Sequence, residues 1–379
     1  MGYATADYGK PLIARSKKGV AMAQELQVKI YNRANLDKYV NVRERETKIG
    51  QAIRVLESSQ PSSLTKGLND AHNSGARYAI ILIPEDIGSR GNCGQPGADQ
   101  APDSFLKYFL NMQSNRYLNC NKVVIVCEVV VDDLMRNSKS KEGEDLAYLR
   151  ELCAQLDDRV APVIREIAVA GLEPIVIGGA NNNSFPIIEG VVEALRIKEP
   201  DSSLSVVNCD PHADFRPMEG RHSGNPFSYA NDRGYLENYC VFGLHENYNS
   251  EESLARLEQH DFKAIIYEDF TFRQKKTFDE SLEEAHHCAV IERLPVGCEV
   301  DLDSIKDMPS SARTPFGISE EQAAHFVQAI ASKTNCRYLH LSEGAPGLSA
   351  DDGARRVGKC LALLVVTYIK AREEFREFW

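Results

Sequence analysis

The chain has 379 residues, 43% hydrophobic and 26% charged, with a formal net charge of −11. That length suits one large α/β domain or two ordinary ones, and the acidic balance argues against nucleic acid or an anionic membrane as a main partner. No apolar run approaches the roughly 20 residues of a membrane helix, residues 1–18 lack a signal-peptide core, and ten scattered cysteines without a C-x-x-C pair suggest reduced thiols in a cytoplasmic protein.

In chain order, residues 1–75 carry no strong strand signal. Met22–Tyr39 and Val42–Gln60 read as helices, and Pro61 with the serines after it breaks the pattern. Residues 1–75 are therefore expected to form an N-terminal helical extension on a main domain at 76–379. Arg77–Pro84 reads as a buried strand running into a glycine-rich loop over 85–98, whose backbone bends sharply or approaches something closely. A helix starts at Ala101, with Pro102 in its first turn. Lys122–Val131 is a second strand and Leu146–Ala170 a helix. Glu173–Ile177 is a third strand, ending in Gly178 and Gly179. Asn181–Asn183 and Ser184 can cap the helix Phe185–Ile197. Further strands are Leu204–Asn208, Tyr239–Gly243, Phe262–Tyr267, Leu294–Leu302 and Arg337–Leu341. Helices over Glu251–Gln259, Glu320–Ser332 and Asp352–Phe378 fall among and after them. This alternation predicts an open, mostly parallel sheet with helices on both faces.

The stretch Asn208–Arg216 carries the chemistry. Asp210, His212 and Asp214 occupy alternate positions, so in extended backbone they project to one side. They do so at the carboxyl end of a strand, where open α/β sheets build their sites. Carboxylates mixed with imidazole suit Mn, Zn, Fe or Ni better than Mg or Ca. Taken alone, D-x-H-x-D is equally compatible with a polar loop. Asp301 and Asp303 end another strand with the same period of two. Together these groups suffice for two divalent ions sharing bridging oxygens; such pairs sit roughly 3.5–4 Å apart and generate hydroxide from a bridging water.

Asp210-Pro-His-Ala-Asp214, Asp301-Leu-Asp303 and Glu343-Gly-Ala-Pro346 resemble the ureohydrolase family, which includes arginase, agmatinase and formimidoylglutamase. The loop Gly91–Pro102, Gly178-Gly179, His222-Ser-Gly-Asn225 and Thr314-Pro315 fall in the expected order, so the resemblance covers roughly residues 77–370. Pro84-Glu-Asp-Ile-Gly88, Arg90-Gly-Asn92, Gly94-Gln-Pro-Gly-Ala98 and Asp214-Phe-Arg216 resemble the formimidoylglutamase branch. The resemblance implies a three-layer α/β/α fold with a binuclear Mn2+ site. Asp210 and Asp301 would bridge the ions, Asp214 would complete one, and His212 with Asp303 the other. Glu343 would take the amidine or guanidinium end of a small amino-acid-like substrate as a forked pair. Hydroxide attack on the amidine carbon would follow, with Asp303 shuttling the proton. Arg90 and Arg216 are the candidates for a substrate carboxylate; His222, Asn225 and the loop His245–Tyr248 are further candidates. A homo-oligomer is also implied.

One residue departs from the pattern. The family carries histidine shortly after the double glycine, and the matching residue here is Asn181. An amide oxygen is a weaker ligand for Mn2+ than imidazole. The expectation is asymmetric: one metal position near normal, the other weak or empty. Asn181 is compatible with a working enzyme of altered metal demand, with a member that has lost hydrolysis and binds a ligand or partner, or with an introduced variant. The intact remaining site residues weigh against long neutral decay.

Overall fold

The computed structural model describes residues 26–140, 145–290 and 294–378. Ten strands form one sheet: β1 Val28–Ile30, β2 Arg54–Val55, β3 Tyr78–Leu82, β4 Val123–Val129, β5 Glu173–Ile177, β6 Leu204–Cys209, β7 Leu236–Leu244, β8 Lys263–Ile266, β9 Val296–Asp301 and β10 Cys336–Ser342. The order is β1-β4-β3-β5-β10-β9-β6-β7-β8, with β2 also on β4. Every pairing is parallel except β1 with β4. Runs such as Tyr78-Ala-Ile-Ile-Leu82 are buried at every position, as strands covered on both faces require.

Each face carries its own core. On one, helices Ala101–Phe109, Glu320–Lys333 and Gly353–Phe378 contribute Phe105, Phe109, Phe326 and Leu361. On the other, Leu146–Val169 and Ser184–Arg196 contribute Leu156, Ile164 and Ile187. The expected three-layer α/β/α arrangement is therefore present. The connection from β5 to β6 spans two places that β10 and β9, made later in the chain, come to fill. Such a reversal opens a crevice at the carboxyl ends of the strands.

The amino-terminal expectation needs correction. Val28–Ile30 is a strand, antiparallel to β4 with Val28 opposite Val129. The helix that follows, Arg33–Asp37, has five residues and begins at an Asn32 cap. In place of a helix over Val42–Gln60 there is a four-residue turn, Ile49–Ala52, and then β2. The missed signal is alternation: Val28 and Ile30 are buried while Lys29 is exposed, a period of two that short strands share with stretches of poorly periodic helix. Residues 1–25, including the start of the predicted helix at Met22, lie outside the described residues.

Candidate metal centre and active site

Four adjacent central strands deliver the site. β5 runs into Gly178 and Gly179, whose φ values of 84° and 74° suit glycine. A Cβ on Gly179 would sit 2.3 Å from Asn183 Nδ2 and 2.8 Å from Glu85 Oε1. This turn brings Asn181 over the ends of β6, β9 and β10. β6 supplies Asp210, His212 and Asp214, β9 supplies Asp301 and Asp303, and β10 supplies Glu343. Asp214 and Glu343 are held at φ 44° and 63°, a conformation that side-chain-bearing residues adopt at a cost and that clusters at functional sites.

Asp210, Asp214 and Asp301 each place a carboxylate oxygen within 4.8 Å of the others, all buried. Backbone amides fix them: His212 N–H donates to Asp210 Oδ1 and Asp303 N–H to Asp301 Oδ1, both at 2.7 Å. Asn208 Nδ2 donates to Asp210 Oδ2 at 2.9 Å. Asp303 accepts from Ala312 N–H at 2.9 Å. Among the described residues no lysine or arginine pairs with any of these acids. Burial, then the neighbouring carboxylates, pushes Asp214, Asp301 and Glu343 well above the usual carboxylate range. Burial also raises Asp303, while the His212 charge opposes it. Burial alone would lower His212, but the hydrogen bond and charge of Asp210 outweigh it and lift the imidazole to about 9. Crowded, desolvated carboxylates of this kind call for a cation, and the oxygen-rich donor set with one imidazole fits Mn2+.

Asn181 lies against the acids through its amide nitrogen. Its Nδ2 donates to Asp214 Oδ2 at 2.6 Å and reaches Asp210 Oδ2 at 3.4 Å. Its oxygen is turned away, accepting from Ser184 and Ser342. Its backbone N–H donates to Glu343 Oε1 at 2.7 Å, and Glu343 Oε2 is buried with no partner.

A cavity of about 390 Å³ opens onto His212, Asp214, Asp301, Asp303 and Glu343, with Arg216 also on its wall. Three other predicted substrate contacts lie outside this wall. Arg90 is committed to Asp86 Oδ1 at 2.9 Å and to Ser138, through its carbonyl at 2.9 Å and its hydroxyl. Asn225 is fully buried, donating to the carbonyls of Pro217 and Gly220 and accepting from Arg221. His222 is also fully buried, and burial lowers it to about 3. Its Nδ1 accepts from Gly224 N–H. These three shape the loop behind the pocket. In the His245–Tyr248 loop, Tyr248 reaches the cavity, while His245 stacks between it and Tyr267. Asn92, Ser223 and Ser311 line the cavity without having been singled out individually by sequence.

Glu85 went unassigned because a lone acid after a strand has no periodic signature. It is fully buried, accepting from Ile87 and Gly88 N–H through one oxygen, and from Ala180 N–H and Asn183 Nδ2 through the other. It straps the β3 loop to the β5 loop. Burial raises it to about 7 against the pull of these donors. A glutamine there must turn its NH2 against one pair of donors. Glu85→Gln is expected to cost about 2–3 kcal/mol of stability, read by chemical unfolding.

An arginase family model matches residues 76–366. Formimidoylglutamase of Geobacillus thermodenitrificans is 26% identical over 342 residues, covering 88% of this chain and 92% of that protein. The crystal structure of formimidoylglutamase from Bacillus subtilis superposes with a TM-score of 0.68 at 16% identity, covering 88% of this chain and 94% of the other. Trypanosoma cruzi formiminoglutamase, crystallised with Mn2+2, gives a TM-score of 0.64 at 20% identity, covering 86% and 98%. At those identities the solved structures establish the fold, and the family match extends over most of the sequence. The chain belongs to the arginase family.

Proposed function

We propose that this protein is a metal-dependent hydrolase of amidino compounds that acts on formimidoylglutamate or a close relative. Three buried carboxylates, Asp210, Asp214 and Asp301, gathered beside Glu343 with His212 against Asp210 and, among the described residues, no lysine or arginine paired to them, carry the proposal. The formimidoylglutamase relatives supply the substrate class, and Mn2+ is the proposed cation. A bound metal pair would supply a water ionised at neutral pH as the nucleophile. Asp210, Asp214 and Asp301, with His212 and Asp303, would hold the ions. Glu343 offers the unpartnered Oε2 to an amidinium N–H, and its Oε1 is kept in place by the Asn181 amide. Asp303, anchored by Ala312 N–H, would carry a proton to the leaving nitrogen. Arg216, its side chain 52% exposed on the cavity wall and 3.8 Å from Glu219 Oε1, would exchange that loose contact for a bidentate pair with a substrate carboxylate.

Asn181 favours a second reading, a family member with impaired hydrolysis that retains ligand binding. It stands where the family pattern has imidazole, and an amide oxygen is a weaker ligand for Mn2+. Elemental analysis of purified protein is expected to give one well-held manganese per chain and a second that is weak. Two tightly held ions would refute that asymmetry. Assay against formimidoylglutamate, agmatine and arginine after loading with Mn, Ni or Co is expected to show turnover. Silence on every amidine or guanidino substrate would sink the hydrolase assignment. Asn181→His is expected to raise metal content and rate if the asparagine is the defect.

We further propose a cytoplasmic homo-oligomer with the catalytic unit beginning at residue 76. All ten cysteines are free and only Cys93 is exposed, as a reducing compartment permits. Among the described residues no helix is long and apolar enough to cross a membrane.

A further inference from the structure

A second cavity, of about 590 Å³, lies at the end of the sheet opposite the acids. The starts of β5, β9 and β10 bound it through Glu173, Pro295 and Arg337, and the last turns of helices Leu146–Val169 and Ser184–Arg196 close its sides. Nothing in the proposed hydrolysis uses it. Val191, Leu195 and Pro295 line it, and Val169 and Ile197, 48% and 57% exposed, continue the apolar wall to solvent.

Arg337 is the unmatched charge on this wall. It is half-buried at the start of β10. Its Nε is buried with no hydrogen-bond partner, and among the described residues no acid pairs with its guanidinium. The nearest buried acid on the wall is already saturated: Glu173 accepts from Arg372 Nε and Nη2, both at 3.0 Å, from the Tyr368 hydroxyl at 3.2 Å and from Arg376 at 2.6 Å. Four bonds fill a carboxylate. Lys198 and Glu199, also on the wall, are exposed and opposite in sign. The helix ends close on themselves. Ala170, Leu172 and Gly171 N–H take the carbonyls of Glu166, Ile167 and Ala168, and Lys198 and Glu199 N–H take that of Leu195. A guanidinium stays charged and carries five donors. Holding it partly desolvated and unpaired is costly unless a ligand completes it.

We propose that this cavity binds a small aliphatic carboxylate, its head forked on Arg337 and its chain along Val191, Leu195 and Ile197. The planar fork of a guanidinium matches a carboxylate. A single free fork set in an apolar wall suits an amphipathic monoanion better than phosphate, whose several oxygens call for donors on more than one side. The site is independent of the metal centre.

The test is calorimetric titration of butyrate, hexanoate and inorganic phosphate into the full chain. Hexanoate is expected to bind about tenfold more tightly than butyrate, for two further buried methylenes, and phosphate more weakly than either. Arg337→Met keeps the stem and removes the head. It is expected to weaken hexanoate at least tenfold while amidine hydrolysis and the melting temperature hold, since the lost group has no partner in the protein. Arg337→Lys, a point charge without the fork, is expected to fall between. Arg216→Ala, in the other cavity, is expected to leave hexanoate affinity unchanged. No binding of hexanoate, equal affinity for the two acids, or tighter binding of phosphate overturns the proposal. Binding that survives in Arg337→Met, or that is lost in Arg216→Ala, places the carboxylate elsewhere and overturns it as well.

Discussion

Asp301→Asn is expected to change the sign of its effect with metal. In the loaded protein it should strip most bound manganese and cut amidine hydrolysis by on the order of 10³-fold. In the metal-free protein it should raise the melting temperature by a few degrees. Asp301 is 2% exposed. Burial, with the charges of Asp303 and Asp210 added, already disfavours its ionised form. Asparagine removes one of the mutually repelling charges, keeps an oxygen for Asp303 N–H, and turns an NH2 toward Asp210 and Asp214. With cations present the same change deletes a charged ligand. Calorimetric unfolding with and without Mn2+, alongside elemental analysis, checks both halves. Destabilisation in both states would mean that Asp301 serves the fold and not a metal.

Glu343→Gln is expected to lower kcat/KM by about 10²–10³-fold while leaving metal content intact. One carboxylate oxygen is engaged by the Asn181 backbone N–H at 2.7 Å. The other is buried without a partner, a costly state for a carboxylate unless a ligand completes it. Glutamine would spend its oxygen on Asn181 and present an NH2 to a cationic amidine. The held left-handed backbone at Glu343 suits a residue whose direction matters more than its comfort. Steady-state kinetics with metal analysis of the same preparation decides it, and a parallel loss of metal would place Glu343 among the ligands.

The acids were legible because a strand's period of two, continued past its end, fixes which side chains share a side. Asp210, His212, Asp214, Asp301 and Asp303 all follow from that rule. Glu343 did not, since a single acid has no spacing, and only the family resemblance singled it out. Arg90 and Asn225 lie off the cavity wall because loop residues take partners that local sequence does not specify; Ser138, which holds Arg90, is 48 residues away. The orientation of Asn181 was equally hidden. Ser342, whose hydroxyl donates to its oxygen, lies 161 residues further along the chain. The helical reading of the amino-terminal segment failed at β1, where three residues paired to β4 outweigh local helix preference.

The placement of β10 and β9 between β5 and β6 has a consequence for how the protein is made. During synthesis β5 and β6 emerge as unjoined neighbours, each with an open edge where the missing pair will dock. Nothing can bridge them until residue 342 has left the ribosome, and the pairing of β5 with β10 spans most of the chain's second half. Such late, long-range closure slows folding and leaves strand edges open to the wrong partners. A nascent chain halted before β10 would hold two half-sheets, with Asp210, Asp214 and Asp301 together on the β6–β9 half, Asn181 on the other and Glu343 not yet made. Completion of the sheet and completion of the site are thus the same event.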